Sequence, residues 1–233
     1  MSDVVTIVSL GPGDPELITL KGLNALKDAD FIFCPYTITS GDKKISRAND
    51  ILIALNIECK KILPFDLSMS KNRMDAIKNY YDTAIQIENK YKAGYNTVLV
   101  AEGDAGFYSS SHYINEILIK KNIPVQRIAG IPAFIACAAF NNIPVSRQKD
   151  NIEIITNLSS AKELIDKKKK DSTLVIMKTS QCESMIKDAL KMMPDTKAYY
   201  YENTGIPEKE FYTDNKEEIL SKEFPYFSLI IIQ

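Results

Sequence analysis

Short apolar segments alternate with amphipathic helical segments along most of this chain, and this alternation limits the possible folds more than any other feature. Residues 4–10 predict a buried strand, and leucines at near-helical spacing predict a helix over residues 17–27. Similar pairs of segments follow as far as the terminal FPYFSLIIIQ, which predicts a last strand. This pattern is typical of α/β proteins in which helices cover a mainly parallel sheet. We therefore expect an α/β fold.

The lysine-rich segment LIKKNIP, residues 118–124, separates two sets of predicted strands and helices. We expect an N-terminal α/β domain with a parallel sheet over residues 1–120, and a C-terminal α/β domain with a mixed sheet over residues 121–233. Within the first domain, DFIFCP predicts a short strand that ends at Pro35. Ser46 is a predicted helix N-cap, and Gly94 is predicted to end a long helix.

Composition excludes several classes of function. The chain has 29 basic and 30 acidic residues in 233, a formal net charge of −1, so we expect no nucleic-acid partner. It shows neither a signal-peptide pattern nor an apolar run of membrane-spanning length, which predicts a cytoplasmic protein without a membrane partner. Cys34, Cys59, Cys137 and Cys182 form no C-x-x-C pair, and His112 is the single histidine. A zinc site and a catalytic Cys–His pair are therefore not indicated.

The segment SLGPGDPEL joins the first predicted strand to the first helix. It lacks the Lys-Ser/Thr of a G-x-x-x-x-G-K-[ST] loop and the third glycine of G-x-G-x-x-G. Its prolines remove N–H donors, and Asp14 and Glu16 add negative charge where a phosphate would bind. We therefore predict no phosphate loop here. The residues alone indicate a strand-to-helix turn, with Asp14 facing the helix start.

Three further loops are similar in kind: AEGDAGFYSSS, IAGIPAFIACAA and YENTGIP each follow a predicted strand. The carboxyl ends of parallel strands meet at one edge of a sheet, so the loops of the first half are expected to converge. Glycines there allow a ligand to approach the backbone. No triad, metal cage or carboxylate pair is apparent, which favours a site that holds a cofactor with its own reactivity.

The motifs GPGD, EGDxxFYSS, GIxxFxACAA, VIMK and YENT, in this order, resemble those of the tetrapyrrole (corrin/porphyrin) methylases of cobalamin and siroheme synthesis. Within that family the pattern is most similar to the precorrin-2 or cobalt-factor II methylases that act at carbon 20. This further resemblance depends on Pro35, on Ser46 with Ala48, and on Pro64 with Phe65.

The resemblance implies a two-domain class III methyltransferase fold with S-adenosylmethionine in the interdomain cleft, and a homodimer. We expect no protein-bound metal. It implies methyl transfer to carbon 20 of precorrin-2 or cobalt-precorrin-2. The cofactor contacts that it implies are Pro12, Glu102, Gly103, Asp104, Phe107, Pro132, Ala133, Met177 and Thr204. Tyr108 and Asp104 are the candidates for moving the proton, with Glu102 as a further nearby candidate. The candidate cations for the substrate's acidic side chains are Lys43, Lys44, Arg47, Lys71, Arg73, Arg147 and Lys149.

The chain departs from the family pattern at several positions. Ala105 replaces the usual proline after GD, Ala129 precedes Gly130 where proline is usual, and Pro132 replaces a hydroxyl residue. Pro35 stands where some relatives carry an aspartate, so no base is assigned there. Two alternatives stay open: a methylase of this fold with another acceptor, such as another precorrin or a diphthine-type protein, and a non-catalytic binder of a tetrapyrrole or nucleoside.

Overall fold

The computed structural model describes residues 3–38, 44–67, 73–168 and 172–233, with Ile38 and Arg73 described by their backbone alone. Two of the candidate cations, Lys43 and Lys71, lie outside these ranges. The chain forms two compact units, Met1–Pro132 and Ala133–Gln233. Within the described ranges, no helix combines the length and the apolar character needed to cross a membrane.

The first unit is built on a mostly parallel sheet. Its strands are β1 (Val5–Ser9), β2 (Phe31–Ile38), β3 (Lys44–Ile45), β4 (Ile62–Asp66), β5 (Thr97–Ala101) and β6 (Val125–Ile128). The order is β3-β2-β5-β1-β6, with β4 also paired to β2. Among these described strands, β3 alone is antiparallel to its neighbour. All five residues of β1 and of β5 are buried, as expected for central strands covered on both faces.

Helices cover both faces of this sheet. They are α1 (Leu20–Asp28), α2 (Arg47–Ala54), α3 (Arg73–Lys92) and α4 (Ser111–Lys120). The side chains of α1 and α2 pack on the face that carries Val8 and Val98, and those of α3 and α4 pack on the face that carries Ile7 and Leu99. The predicted helix ends are confirmed: the Ser46 hydroxyl accepts a hydrogen bond from the backbone N–H of Asn49 at 3.0 Å, and Gly94 has φ +86° after α3.

Strand β2 continues through Pro35, so the predicted strand end there was wrong. The pairing of β2 with β5 stops at Phe33, whereas its parallel pairing with β4 continues through Pro35 and Tyr36. Pro35 therefore lies where β2 has lost its neighbour on one side. A missing N–H is tolerated at such an edge-like position.

The two units meet in sequence after Pro132, whereas the sequence indicated a boundary at residues 118–124. Strand β6 pairs in parallel with β1, which places residues 125–128 in the first sheet. The lysine-rich segment contains the end of α4 and the turn that leads into β6, where Asn122 has φ +58°. A polar composition marks such a turn as readily as it marks a domain linker.

The second unit contains a mixed sheet in the order β10-β9-β11-β8-β7. Its elements are α5 (Ala133–Phe140), β7 (Asn151–Ile155), α6 (Ala161–Lys168), β8 (Ser172–Met177), α7 (Glu183–Met192), β9 (Ala198–Glu202), β10 (Phe211–Thr213), α8 (Lys216–Ser221) and β11 (Ser228–Ile232). Strands β8 and β9 both run antiparallel to β11 and therefore point in the same direction. Tyr200, Ile176 and Ile230 are buried in its core beneath α6 and α7. Sequence patterns predicted neither β10 nor α8, which are short.

Candidate active site

Two loops of the first unit are joined by their backbones at the carboxyl edge of the sheet. The N–H of Gly11 donates to the carbonyl of Gly103 at 3.1 Å, and the N–H of Gly103 donates to the carbonyl of Gly11 at 2.7 Å. Both glycines have positive φ, +82° and +64°. Other residues rarely adopt this conformation, so glycine is what allows the loops after β1 and β5 to pair.

A buried serine and an aspartate connect these loops to the third loop, which follows β6. The Ser9 hydroxyl donates to the carbonyl of Ile128 at 2.7 Å and accepts from the N–H of Ala105 at 2.8 Å. The Asp104 carboxylate accepts the N–H of Gly106 at its Oδ1 and the N–H of Gly130 at its Oδ2, both at 2.7 Å. The predicted convergence of the three loops of the first half is thus observed.

The contact at Gly130 is too close for any side chain. A Cβ atom on Gly130 would lie 2.4 Å from the Cβ of Ser9 and 2.7 Å from the carbonyl oxygen of Gly103. Two carbon atoms in ordinary contact lie about 3.5–4.0 Å apart. Residue 130 must therefore be glycine for the three loops to pack together at the carboxyl edge of the sheet.

The first loop is a strand-to-helix turn. The Asp14 carboxylate accepts the N–H of Glu16 at 2.8 Å and caps a short 3-10 turn over Pro15–Leu17. The sequence predicted that Asp14 faces the start of the first helix, but α1 begins only at Leu20, where the Thr19 hydroxyl accepts the N–H of Gly22 at 3.1 Å. Pro12 is buried, and Gly13 has φ +142°. A residue with a side chain at position 13 would be strained at this φ.

Arg47 lies beside two of the candidate cofactor contacts. Its Nε is 3.9 Å from the Glu102 carboxylate, and its Nη2 donates to the carbonyl of Pro12 at 3.4 Å. Burial raises the pKa of the Glu102 carboxyl, while the Arg47 guanidinium and the N–H of Ala48 lower it in part. Arg47 is the first residue of α2, so this helix places a cation under the first and second loops.

The aromatic pair of the second loop is held edge to face. The Phe107 and Tyr108 rings are 4.8 Å apart at 78°. Tyr108 has φ +50°, and 53% of it is exposed. A left-handed conformation is costly for a bulky residue and is concentrated at functional sites. The predicted proton-transfer candidate therefore presents its side chain to solvent from a strained turn.

The second unit contributes candidates from the ends of two strands. Met177 ends β8, and Thr204 follows β9; Leu229 of β11 pairs with both Met177 and Tyr201. The Thr204 hydroxyl and the Cys137 thiol are 2.9 Å apart. Ala133 lies four residues before Cys137, on the same face of α5. Ala133, Met177 and Thr204 therefore belong to one region of this unit.

Comparisons with known proteins agree with these motifs. Residues 4–220 match the family described as tetrapyrrole (corrin/porphyrin) methylases. The chain belongs to this family. It is 29% identical over 235 residues to a probable cobalt-precorrin-2 C(20)-methyltransferase from Methanocaldococcus jannaschii, covering 97% of this chain and 94% of that protein. It is 27% identical over 231 residues to a precorrin-2 C(20)-methyltransferase from Sinorhizobium, covering 97% and 93%.

Solved tetrapyrrole methylases share the fold. A cobalt precorrin-4 methyltransferase superimposes with a TM-score of 0.68 at 17% identity, covering 99% of this chain and 94% of that one. A uroporphyrin-III C-methyl transferase from Thermus thermophilus, complexed with S-adenosylhomocysteine, superimposes with a TM-score of 0.67 at 16% identity, covering 98% and 91%. The predicted α/β tetrapyrrole methylase fold is confirmed. The position of the cofactor stays a prediction.

Sequence reasoning missed Ser9 and Cys137 as members of this tetrapyrrole methylase's candidate site. Ser9 is a polar residue at the end of the apolar run VTIVS, and Cys137 lies in the apolar helix AFIACAAF. A polar residue inside a fully buried strand requires hydrogen-bond partners, and that signal was available for Ser9. The partners themselves, Ile128 and Ala105, are distant in sequence and carry no such signal.

Three other predicted cations of this methylase, Lys44, Arg147 and Lys149, have ordinary surroundings. The Lys44 ammonium lies 4.5 Å above the centre of the Tyr36 ring. Arg147 and Lys149 are exposed in the segment before β7, where the N–H of Arg147 donates to the Asp150 carboxylate at 2.8 Å. Among the residues that the structure describes, no three His, Cys, Asp or Glu side chains are grouped as metal ligands.

Proposed function

We propose that this chain transfers a methyl group from S-adenosylmethionine to carbon 20 of precorrin-2 or cobalt-precorrin-2 in cobalamin biosynthesis. One observation carries the proposal: the chain aligns over nearly its full length with two relatives that are both described as C(20)-methyltransferases of this substrate pair. The alignment leaves no large part of either relative without a counterpart here.

The loop edge of the first unit fits a ligand that is read by backbone groups. A Cβ on Gly103 would meet no atom within 4 Å, so open space adjoins the backbone at this predicted cofactor contact. Arg47 contacts two of the neighbouring predicted contacts: it donates a hydrogen bond to the Pro12 carbonyl and forms an ion pair with the Glu102 carboxylate. Peptide N–H and C=O groups can bind the amide-like edges of an adenine or the ends of an amino acid.

When bound, S-adenosylmethionine supplies an electrophilic methyl group on a sulfonium, and the electron-rich tetrapyrrole supplies the nucleophilic carbon. The protein's part is mainly to align the reacting carbon with the methyl group. We assign the cofactor contacts to Pro12, Glu102, Gly103, Asp104, Phe107, Pro132, Ala133, Met177 and Thr204, as the family motifs imply. Tyr108 is 53% exposed, and we assign its hydroxyl to relay the proton released from the ring: it gives its own proton to solvent water as it takes up the ring's.

The test is a methylation assay with purified protein, precorrin-2 and S-adenosylmethionine that carries a labelled methyl group. We expect one labelled methyl per tetrapyrrole, and NMR of the product should place it on carbon 20. The same assay with cobalt-precorrin-2 decides which of the two substrates is preferred. The absence of label from both would contradict the proposal.

Matched acceptors separate this proposal from its alternatives. Uroporphyrinogen-III is the appropriate control, since a uroporphyrinogen-III C-methyltransferase from Methanocaldococcus jannaschii is 28% identical over 200 residues. Methylation of this control alone would indicate another tetrapyrrole acceptor, and methylation of a translation factor alone would indicate a protein substrate. Binding of S-adenosylhomocysteine without turnover would indicate a non-catalytic binder.

Several further expectations belong to the proposal. We expect a cytoplasmic homodimer without a bound metal, nucleic acid or membrane partner. Sedimentation equilibrium measures the assembly state, and elemental analysis of the purified protein measures its metal content. A monomer that methylates precorrin-2 would contradict the homodimer and leave the proposed reaction intact.

A further inference from the structure

We infer that Ser9, together with Asp104, is a positioning residue that fixes the three loops at the carboxyl edge of the first unit in the conformation that binds the cofactor. This inference rests on the proposed function. Ser9 is fully buried, so any effect that it has on a ligand must act through the loops that it holds.

The Ser9 hydroxyl makes one bond to each of the other two strand ends. It donates to the Ile128 carbonyl at the end of β6 and accepts from the N–H of Ala105 in the loop after β5. Ser9 itself ends β1, the strand between β5 and β6. The Ser9 hydroxyl oxygen therefore fixes the positions of the carboxyl ends of β1, β5 and β6 relative to one another. Removing it would leave the N–H of Ala105 and the carbonyl of Ile128 without this partner.

Asp104 also connects the loop after β5 to the loop after β6. Its two oxygens accept the N–H groups of Gly106, within its own loop, and of Gly130, in the loop after β6. Hydrogen bonds to an ionised carboxylate are stronger than those between neutral groups. Because each oxygen accepts the N–H of a different glycine, the Asp104 carboxylate holds the loops in position around the cofactor contact that the family motifs imply at this residue.

The departure from the family pattern at residue 105 is part of this arrangement. The N–H of Ala105 is the group that donates to Ser9, and a proline at this position has no N–H to donate. Replacing the usual proline by alanine therefore provides the donor that the buried Ser9 hydroxyl accepts. Ser9 and Ala105, which are distant in sequence, therefore act through the same hydrogen bond.

The decisive variant is Ser9→Ala, with Thr97→Val as its matched control. Thr97 is also fully buried, lies at the opposite, amino end of β5, and donates its hydroxyl to the Tyr95 carbonyl at 3.2 Å. Both variants remove a buried hydroxyl from the same sheet. We expect Ser9→Ala to weaken S-adenosylhomocysteine binding about tenfold in calorimetry and to lower kcat by up to about 10²-fold. Thr97→Val should lower only the melting temperature.

A second pair of variants covers the case in which Ser9→Ala does not fold. Both oxygens of Asp104 accept a backbone N–H, so Asp104→Asn must place its amide NH₂ against one of these donors. Asp30→Asn removes the same charge at the amino edge of the sheet, but its amide oxygen can keep the one bond that Asp30 accepts, from the N–H of Asn96 at 2.8 Å. Asp104→Asn should raise the KM for S-adenosylmethionine and lower kcat. Asp30→Asn should change neither, even where the two melting temperatures agree.

The outcomes separate this inference from the proposed function. If the wild-type protein binds S-adenosylhomocysteine and Ser9→Ala binds it equally well, the inference is overturned and the proposed function stands. If the wild type binds none, both fail. A double variant with Ala105→Pro adds a test of the Ser9–Ala105 bond: Ser9→Ala should cost less affinity in that background than in the wild type, and equal costs would contradict the bond's role.

Discussion

The two units hold their candidate ligand-binding groups in different ways. In the first unit, the loops are held together mainly through backbone groups. Gly11 and Gly103 pair directly, and Ser9 and Asp104 accept backbone N–H groups of neighbouring loops. In the second unit, the candidate Thr204 makes a contact between two side chains: its hydroxyl and the Cys137 thiol are 2.9 Å apart.

This difference predicts two kinds of sensitivity to mutation. A site made from backbone groups is damaged most by changes that move the chain, above all a Cβ added to a glycine in a tight contact. In a site made from side-chain pairs, each substitution removes one contact, so we expect a smaller loss of stability and binding per substitution. The variants below test that contrast.

The largest effect is expected from Gly130→Ala. The added Cβ would collide with the Cβ of Ser9 at 2.4 Å and with the Gly103 carbonyl oxygen at 2.7 Å, and neither atom can move away without a shift of the backbone. We expect the free energy of unfolding to fall by about 3 kcal/mol, with loss of S-adenosylhomocysteine binding. Urea denaturation and calorimetry measure the two quantities.

Gly106→Ala is the control for this collision. Its added Cβ would come no closer than 3.0 Å, to the Asp104 Oδ1, and next to the Arg127 Nη1 at 3.3 Å, both side-chain atoms that can move. We expect a milder loss than in Gly130→Ala. Equal losses in the two variants would show that the packing at Gly130 is not special, and would weaken the contrast between the two units.

The next effect in size concerns Gly13, whose φ of +142° is unfavourable for any residue with a side chain. Gly13→Ala and Gly13→Val should each lose about 2 kcal/mol of unfolding free energy from backbone strain. Both variants carry this strain. A lower methylation rate in Gly13→Val than in Gly13→Ala would therefore show that the larger side chain obstructs the bound ligand. Equal rates at equal stability would place Gly13 away from the bound substrate.

Local features of the fold were predictable from the sequence, and distant contacts were not. The N-cap Ser46 and the helix end at Gly94 depend on neighbouring residues, and both predictions are confirmed. The strand end proposed at Pro35 was wrong because the partners of β2 change along its length, which no local pattern records.

The same limit applies to the site. The glycine-rich loops were identified from the sequence because each follows a strand, and the topology then brings those of the first unit together. The need for glycine at residue 130 arises from Ser9, which lies near the other end of the unit's sequence. Contacts of this kind follow from strand order and register, and the sequence pattern alone did not specify β6 as the neighbour of β1.

A smaller effect, and one that depends on pH, is expected at the Arg47–Glu102 pair. Burial raises the pKa of the Glu102 carboxyl above its usual 4.5, so the folded protein holds this proton more tightly than the unfolded chain does. The resulting stability is present at low pH and is lost as the pH rises through the raised pKa. Glu102→Gln should remove this pH dependence from thermal denaturation curves.

Arg47→Met tests the other half of the pair. Without the guanidinium, which lowers the Glu102 pKa in part, the pKa should rise further and the loss of stability should extend to higher pH. We expect about 1 kcal/mol of destabilisation near neutral pH. Arg47→Lys keeps a cation and should lie between the wild type and Arg47→Met. If all three proteins share one pH profile, Arg47 does not act on Glu102.

The smallest effect is expected in the second unit, at Thr204. Thr204→Val keeps the shape of the side chain and removes the hydroxyl that contacts the Cys137 thiol at 2.9 Å. A thiol is a weak hydrogen-bond partner, so the loss in unfolding free energy should stay below about 1 kcal/mol, with a few-fold rise in the KM for S-adenosylmethionine. Cys137→Ser keeps a hydroxyl-sized partner for Thr204 and should leave the KM closer to that of the wild type. A loss in Thr204→Val as large as that in Gly130→Ala would remove the distinction between a backbone-built edge and a side-chain-built one, because a single hydroxyl would then matter as much as a displaced loop.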